Sequence, residues 1–259
     1  MTSLALGLAV MVAVMAGLWL VQRRTANAGW VDVGWSAGVG IVGALAAALG
    51  AGWPARRLLV GAMIALWSLR LAAYILRRVL SEPEDGRYTR LREEWGAAAQ
   101  RRLFVFYQAQ AVLAVLFALP VWVAAADPRH GWGARDVTAV LVWLVAVAGE
   151  SLADRQLARF RSDPGNRGRT CAAGLWRYSR HPNYFFEWVH WWAYVVLAAG
   201  APWWWLTLAG PALMLFFLLK VTGVPATEAR ALLSRPDYAE YQRTTSAFIP
   251  WFPRRRSGP

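Results

Sequence analysis

Residues Gly174 to Trp192 read GLWRYSRHPNYFFEWVHWW. The first half is basic and polar. At Pro182 it turns, with no spacer, into an aromatic apolar run that still carries Glu187 and His190. Proline suits the first position of a helix, where its missing N–H is not needed. The free N–H groups of that first turn favour an anion. A carboxylate and an imidazole in such a helix are costly in lipid, by about a few kcal/mol each on insertion scales, so they are expected to face a lined cavity.

Composition says what surrounds this helix. The chain has 259 residues, 58% of them hydrophobic, with 17 Trp and only 17% charged residues. Soluble domains carry an apolar share of roughly 45–50%, so this chain reads as a polytopic membrane protein. The single cysteine, Cys171, excludes an internal disulfide framework and any multi-cysteine metal site. A net charge of +13 raises the question of nucleic acid. The arginines, however, fall between apolar runs rather than on one solvated domain, which argues against it. Met1 to Val21 has no basic leader and is long enough to span, so no cleavable signal is expected.

Seven apolar runs approach the ~20 residues that cross a bilayer. They lie at about 3–22, 30–51, 56–76, 103–124, 135–153, 183–200 and 203–223. Pro54, Pro128, Pro182 and Pro202 sit at or near their ends. The expected fold is therefore all-α, with seven transmembrane helices forming a single domain over 1–259. Of 28 Lys and Arg residues, 23 fall in segments 22–29, 77–102 and 154–182 and in the tail from Lys220. Four (Arg56, Arg57, Arg129, Arg135) fall on the other side, and Arg70 lies within a span. Cationic loops stay cytoplasmic, which predicts an outer N-terminus and a cytoplasmic C-terminus. The loop charge has two readings: an anionic cytosolic cofactor, or anionic lipid headgroups. The Trp203-Trp204-Trp205 cluster reads as an anchor at the outer interface.

Ionisable residues also recur inside the runs. Asp32 opens the second, and Arg70, Tyr74 and Arg77 share one face of the third at i, i+4, i+7. Arg77 reads equally as a snorkelling end residue, and Asp32 is able to reach the interface. Glu150 and Asp154 share a face in the fifth run, and Glu187 and His190 share one in the sixth. No nucleophile elbow, zinc-protease motif or phosphate-binding Gly-rich loop is present. Three scattered histidines, His130, His181 and His190, argue against a bound metal. Broken spans in matching halves, expected of an inverted-repeat transporter, are not evident.

The run Gly174 to Tyr184, followed by Glu187 and a Trp pair, resembles the C-terminal signature of the steroid 5α-reductase family, and is closest to its bacterial DUF1295 branch. EDGRYTRLREEWG at 84–96, the Glu150 to Phe160 segment and the tail PDYAEYQRTTSAFIP ending at Pro250 extend the likeness in the same order. Isoprenylcysteine carboxyl methyltransferases share the Arg-His-Pro-Asn-Tyr piece.

This resemblance implies an NADPH-dependent oxidoreductase that reduces an enone C=C bond in a lipid-like substrate, from a cavity open to the cytoplasm of a bacterial inner membrane. By matching position it places Asp154, Arg161, Tyr178, Asn183 and Glu187 against the cofactor, with Arg77, Arg180 and His181 completing the cofactor-binding set. Arg161, Arg177 and Arg180 are fork-shaped donors suited to phosphate oxygens. Tyr74-x-x-Arg77 matches a substrate-side element of the family. Its Gln-Glu pair on the second helix is only partly kept, as Val31-Asp32, which puts the steroid in doubt as substrate. Asp32, if kept neutral, and Tyr74 are the expected catalytic donors to the substrate carbonyl. The alternative is an S-adenosylmethionine-dependent methyltransferase, and after it a non-catalytic lipid-binding protein.

Overall fold

A computed structural model describes residues 2–254. Among the described residues the chain is all helical, with no strand. Ten α-helices follow one another: α1 (Thr2–Thr25), α2 (Trp30–Ala48), α3 (Pro54–Ser81), α4 (Gly86–Trp95), α5 (Ala99–Ala125), α6 (Ala134–Ser162), α7 (Pro182–Ala198), α8 (Ala209–Phe216), α9 (Val224–Ser234) and α10 (Tyr238–Thr244). Six helical stretches are long and apolar enough to cross a membrane. They contain α1, α2, α3, α5, α6 and the segment from Trp204 to Ser234.

Two expected spans differ in detail. The sixth, 183–200, is the 17-residue α7, at the short end of the roughly 17–25 that a crossing helix needs. The seventh is not one regular helix. It begins as a tight 3-10 turn (Trp204–Leu208), continues as α8 and widens to π geometry over Phe217–Val221. The chain then breaks at Gly223, where a Cβ would lie 2.4 Å from the Leu218 carbonyl oxygen. Hydropathy senses apolar length and not helical pitch, so this break lay outside its reach.

The chain divides into two compact units. The described residues of Met1–Trp132 and Leu197–Gly210 form unit 1, and those of Gly133–Val196 and Pro211–Pro259 form unit 2.

Unit 1 is built around α2, which packs against α1, α3 and α5. The helices approach closely because α2 presents glycines. A Cβ on Gly38 would lie 2.2 Å from Met11, and one on Gly40 would lie 2.2 Å from the Ser68 hydroxyl. Small residues at such crossings allow the close backbone packing that drives helix association in lipid. Ser68 donates to the Ser36 carbonyl, which seals the α2–α3 contact. At the end of α2, Arg57 donates to the carbonyls of Ala47 (2.8 Å) and Ala48, in the last turn, where carbonyls run short of helical partners. Below it, Asp127 and Arg56 form a buried pair, and Asp127 also accepts from Arg129.

Unit 2 brings α6 against α7, where a Cβ on Gly149 would lie 2.5 Å from the Phe186 ring. The Trp188 indole donates to the Pro211 carbonyl (3.1 Å), and the Trp176 indole donates to the Ala153 carbonyl (3.0 Å). Ala231, Tyr238 and Tyr241 form a small core between α9 and α10.

Candidate functional site

In unit 1, Asp32 lies in the first turn of α2. Its side chain is 35% exposed and both its oxygens are engaged. The Tyr88 hydroxyl donates to Oδ1 at 2.8 Å, and Arg87 Nη2 donates to Oδ2 at 3.2 Å. The two partners come from the start of α4, which Asp85 caps through the Arg87 N–H at 3.0 Å. Burial works to raise the Asp85 pKa, but the Arg87 guanidinium and N–H beside it prevail and hold the carboxyl below its ordinary 3.8. Next to this cluster Glu84 accepts from the Ala28 N–H (2.6 Å) and from Arg92, which also reaches Gln22 (2.8 Å). Tyr107 donates to the Ala28 carbonyl (2.9 Å). The polar sequence from Glu84 to Arg92 thus ties the α3–α4 connection to the N-terminal end of α2.

In this arrangement Asp32 accepts from Arg87 and Tyr88, whereas the sequence makes it a candidate neutral donor. Donation from it requires a proton and release from Arg87 and Tyr88. Tyr74 is half-buried in α3, and Arg77, three residues on, is exposed.

In unit 2 the residues of the 174–192 stretch separate into two groups. Arg180 and His181 converge on Glu228 of α9. Arg180 Nε donates to Oε1 at 2.6 Å, Arg180 Nη2 donates to Oε2 at 3.3 Å, and His181 Nε2 lies 3.1 Å from Oε1. Gln242 donates to Oε2 at 2.7 Å, and Arg180 Nη1 donates to the carbonyls of Gln242 and Thr245 at 2.8 Å each. The His181 ring stacks on Tyr184. Every guanidinium nitrogen of Arg180 is therefore taken by the protein. Arg180 and His181, expected against a cofactor, tie α7, α9 and the C-terminal tail together. Tyr178 has a related place, its carbonyl accepting from the Trp251 N–H (2.9 Å) and its ring touching Phe252.

The second group lies along α6 and α7. Asn183 donates to Asp154 Oδ1 of α6 at 3.2 Å, while its own Oδ1 is buried with no hydrogen-bond partner. Glu187, one turn further along α7, is half-buried. Two turns beyond Asp154 on α6, Arg161 lines a cavity of about 280 Å3 together with Arg167, Arg169 and Arg235. The side chains of Arg167, Arg169 and Arg235 make no hydrogen bond or ion pair among the described residues. Cys171, in the same wall, is buried, and burial pushes its thiol above the ordinary value. Four guanidinium groups around one small space with one acid, Asp163, in the wall make a strongly electropositive pocket. Such a pocket suits phosphate oxygens, which arginine grips in a bidentate manner.

Of the residues expected at a cofactor from the sequence, Asn183 and Asp154 touch each other and Arg161 lines the cavity. Sequence reading missed Arg167, Arg169 and Arg235 as a group, and it gave Arg87 and Tyr88 no role, although their DGRY segment stood in the quoted motif. Neither a curated protein nor a solved structure matches the chain. The family model described as "Protein of unknown function (DUF1295)" matches residues 18–245, and the chain belongs to that family.

Proposed function

We propose that the chain is a membrane-embedded oxidoreductase that uses NADPH to reduce an enone C=C bond in a lipid-like substrate, steroid-like or isoprenoid. On this reading α7 and the broken segment after it both cross the membrane, giving seven spans. The N-terminus is outside, the C-terminus cytoplasmic, and the site opens to the cytoplasm from a bacterial inner membrane. The observation that carries the reading is the cavity of Arg161, Arg167, Arg169 and Arg235, whose donors suit the phosphates of such a dinucleotide. The unpartnered Asn183 Oδ1, beside Asp154, suits a neutral N–H or O–H of the same ligand.

When bound, the nicotinamide would supply a hydride to the β-carbon of the enone, and water would supply the proton that the α-carbon takes up. The residues of the chain do the rest. The four arginines bind and orient phosphate, and Asn183, Asp154 and Glu187 line up along α6 and α7 to hold uncharged parts. Tyr74 donates to the carbonyl oxygen, where negative charge develops as the hydride arrives. Asp32 serves as second donor only in its protonated form, and otherwise anchors Arg87 and Tyr88.

The alternative, an S-adenosylmethionine-dependent methyltransferase, has a cofactor without phosphate and no evident use for four arginines. Titration of the purified protein with NADPH, NADH and S-adenosylmethionine separates the two. NADPH is expected to bind, and NADH, which lacks the 2′-phosphate, at least about tenfold more weakly, the loss of one charge-assisted contact. Binding of S-adenosylmethionine with none of NADPH transfers the assignment to the methyltransferase.

A further inference from the structure

The last described residues of unit 2 hold three large apolar side chains in the open. Ile249, Trp251 and Phe252 are 58%, 70% and 76% exposed. They do not belong to a loose end. The Arg180 N–H donates to the Ser246 carbonyl (2.8 Å), Ser179 Oγ donates to the Phe248 carbonyl (2.8 Å), and the Trp251 N–H donates to Tyr178. The Arg254 N–H closes the strap onto the Thr244 carbonyl (2.8 Å). Phe248 is buried against Phe185 and Trp188 of α7. The strap is thus clamped along its length, and the exposure of its three apolar residues is a fixed presentation. It is clamped to residues 178–180, just before Pro182 opens the apolar helix α7. That is the level at which an apolar helix emerges into polar surroundings.

Trp251 and Phe252 also line a cavity of about 340 Å3 whose wall includes Arg243, Ser246 and Arg254. The Arg254 guanidinium and the Ser246 hydroxyl make no hydrogen bond among the described residues, and Arg243 gives Nε and Nη2 to Glu240, which leaves its Nη1. Arg255 and Arg256 follow in the sequence.

We propose that this strap is a lipid site. The phosphodiester headgroup of an anionic phospholipid enters the cavity against Arg254, Arg243 and Ser246, while Ile249, Trp251 and Phe252 insert at the acyl boundary. Each half of the arrangement explains what the other does not. Free phosphate satisfies the arginines and leaves the apolar residues in water. A zwitterionic lipid covers the apolar residues but brings a cation of its own to the arginines. Tryptophan and phenylalanine belong at the headgroup level, and each basic residue there adds attraction for anionic lipid.

The test uses the full chain in detergent, titrated with phosphatidylglycerol, phosphatidylcholine and soluble glycerol phosphate, with bound ligand counted by native mass spectrometry. Phosphatidylglycerol is expected to be retained in preference to phosphatidylcholine. The double variant Arg243→Ser, Arg254→Ser should lower that affinity about tenfold and leave phosphatidylcholine unchanged. Trp251→Ser with Phe252→Ser should weaken both lipids. Parental affinity in the arginine variant overturns the proposal, as does an equal loss of both lipids. Displacement of the lipid by millimolar glycerol phosphate also overturns it, making the cavity a plain phosphate site. Arg254→Lys, which keeps the charge, should bind within about threefold of the parent; a loss as large as that of the double variant would mean that the charge is not what the site reads.

Discussion

Two regions of unit 2 that carry arginine solve opposite problems. Around Glu228, the donors of Arg180, His181 and Gln242 all end on one carboxylate or on nearby carbonyls. Around the cavity of α6, Arg167, Arg169 and Arg235 end on nothing among the described residues. The first holds one arginine, Arg180, and the second four, yet an arginine by itself does not identify an anion site. What separates them is whether the donors already have acceptors. The first region holds the fold together, and the second has capacity left for a ligand.

Breaking the first region should have the largest effect. Glu228→Ala leaves Arg180 and His181 without their acceptor, in surroundings where both partners of the pair are only 12% exposed. Removing one partner of a largely buried pair costs about 3–5 kcal/mol. The apparent melting temperature in detergent should fall by roughly 10 °C. A fall of only about 1 °C would return Arg180 to the list of ligand donors.

The second region should respond in the other currency, affinity. Arg169→Ser combined with Arg235→Ser should weaken NADPH binding about ten- to a hundredfold, since charge-assisted hydrogen bonds are worth about 1.5–3 kcal/mol. Melting should change little, because no internal partner is lost. A large loss of stability with unchanged binding would erase the contrast.

Unit 1 offers a third, smaller test on Asp127, which is tied off by Arg129 and Arg56. Burial raises its pKa, but the hydrogen bonds and charge of Arg129 outweigh burial and hold it below the ordinary 3.8. A depressed carboxylate contributes stability that is complete above its unfolded value and is lost as pH falls through the folded one. Thermal stability of the parent should therefore drop as pH goes below about 4. In Asp127→Asn that part of the drop should be missing, on top of a lower plateau at neutral pH. Identical pH profiles would show that the pair carries no linked stability.

The mildest change is Tyr88→Phe, which removes one donor to Asp32 and leaves Arg87 in place. A net cost of about 0.5–1.5 kcal/mol is expected by thermal unfolding. Abolished enone turnover with intact stability would instead move the catalytic donor from Tyr74 to Tyr88.

The difference between the two arginine regions also marks how far the sequence could be read. Long apolar runs fixed the placement of α1, α2, α3, α5 and α6, because burial in lipid depends on composition summed over a helix. α3 runs on to Ser81 because a helix need not stop where hydropathy falls. Arg77 and Arg78 extend it into polar surroundings. The short polar α4 was invisible to hydropathy, and its signal was Asp85 followed by Gly86, a capping pattern. Arg180 looked like an anion donor because its acceptor, Glu228, lies 48 residues away in sequence and no local pattern announces the pairing. Arg235 reaches the cavity from the far end of α9 for the same reason. Asp154 and Asn183, which meet in the structure, stand in two separate segments that the resemblance had singled out.

The wall of the arginine cavity also contains Cys171, the single thiol of the chain. Its burial and raised pKa make it a poor nucleophile in the closed structure. The protein therefore carries a built-in clock. The rate at which a small maleimide reacts with Cys171 measures how often that wall opens. Any molecule that settles among the arginines should slow the clock, whatever chemistry follows.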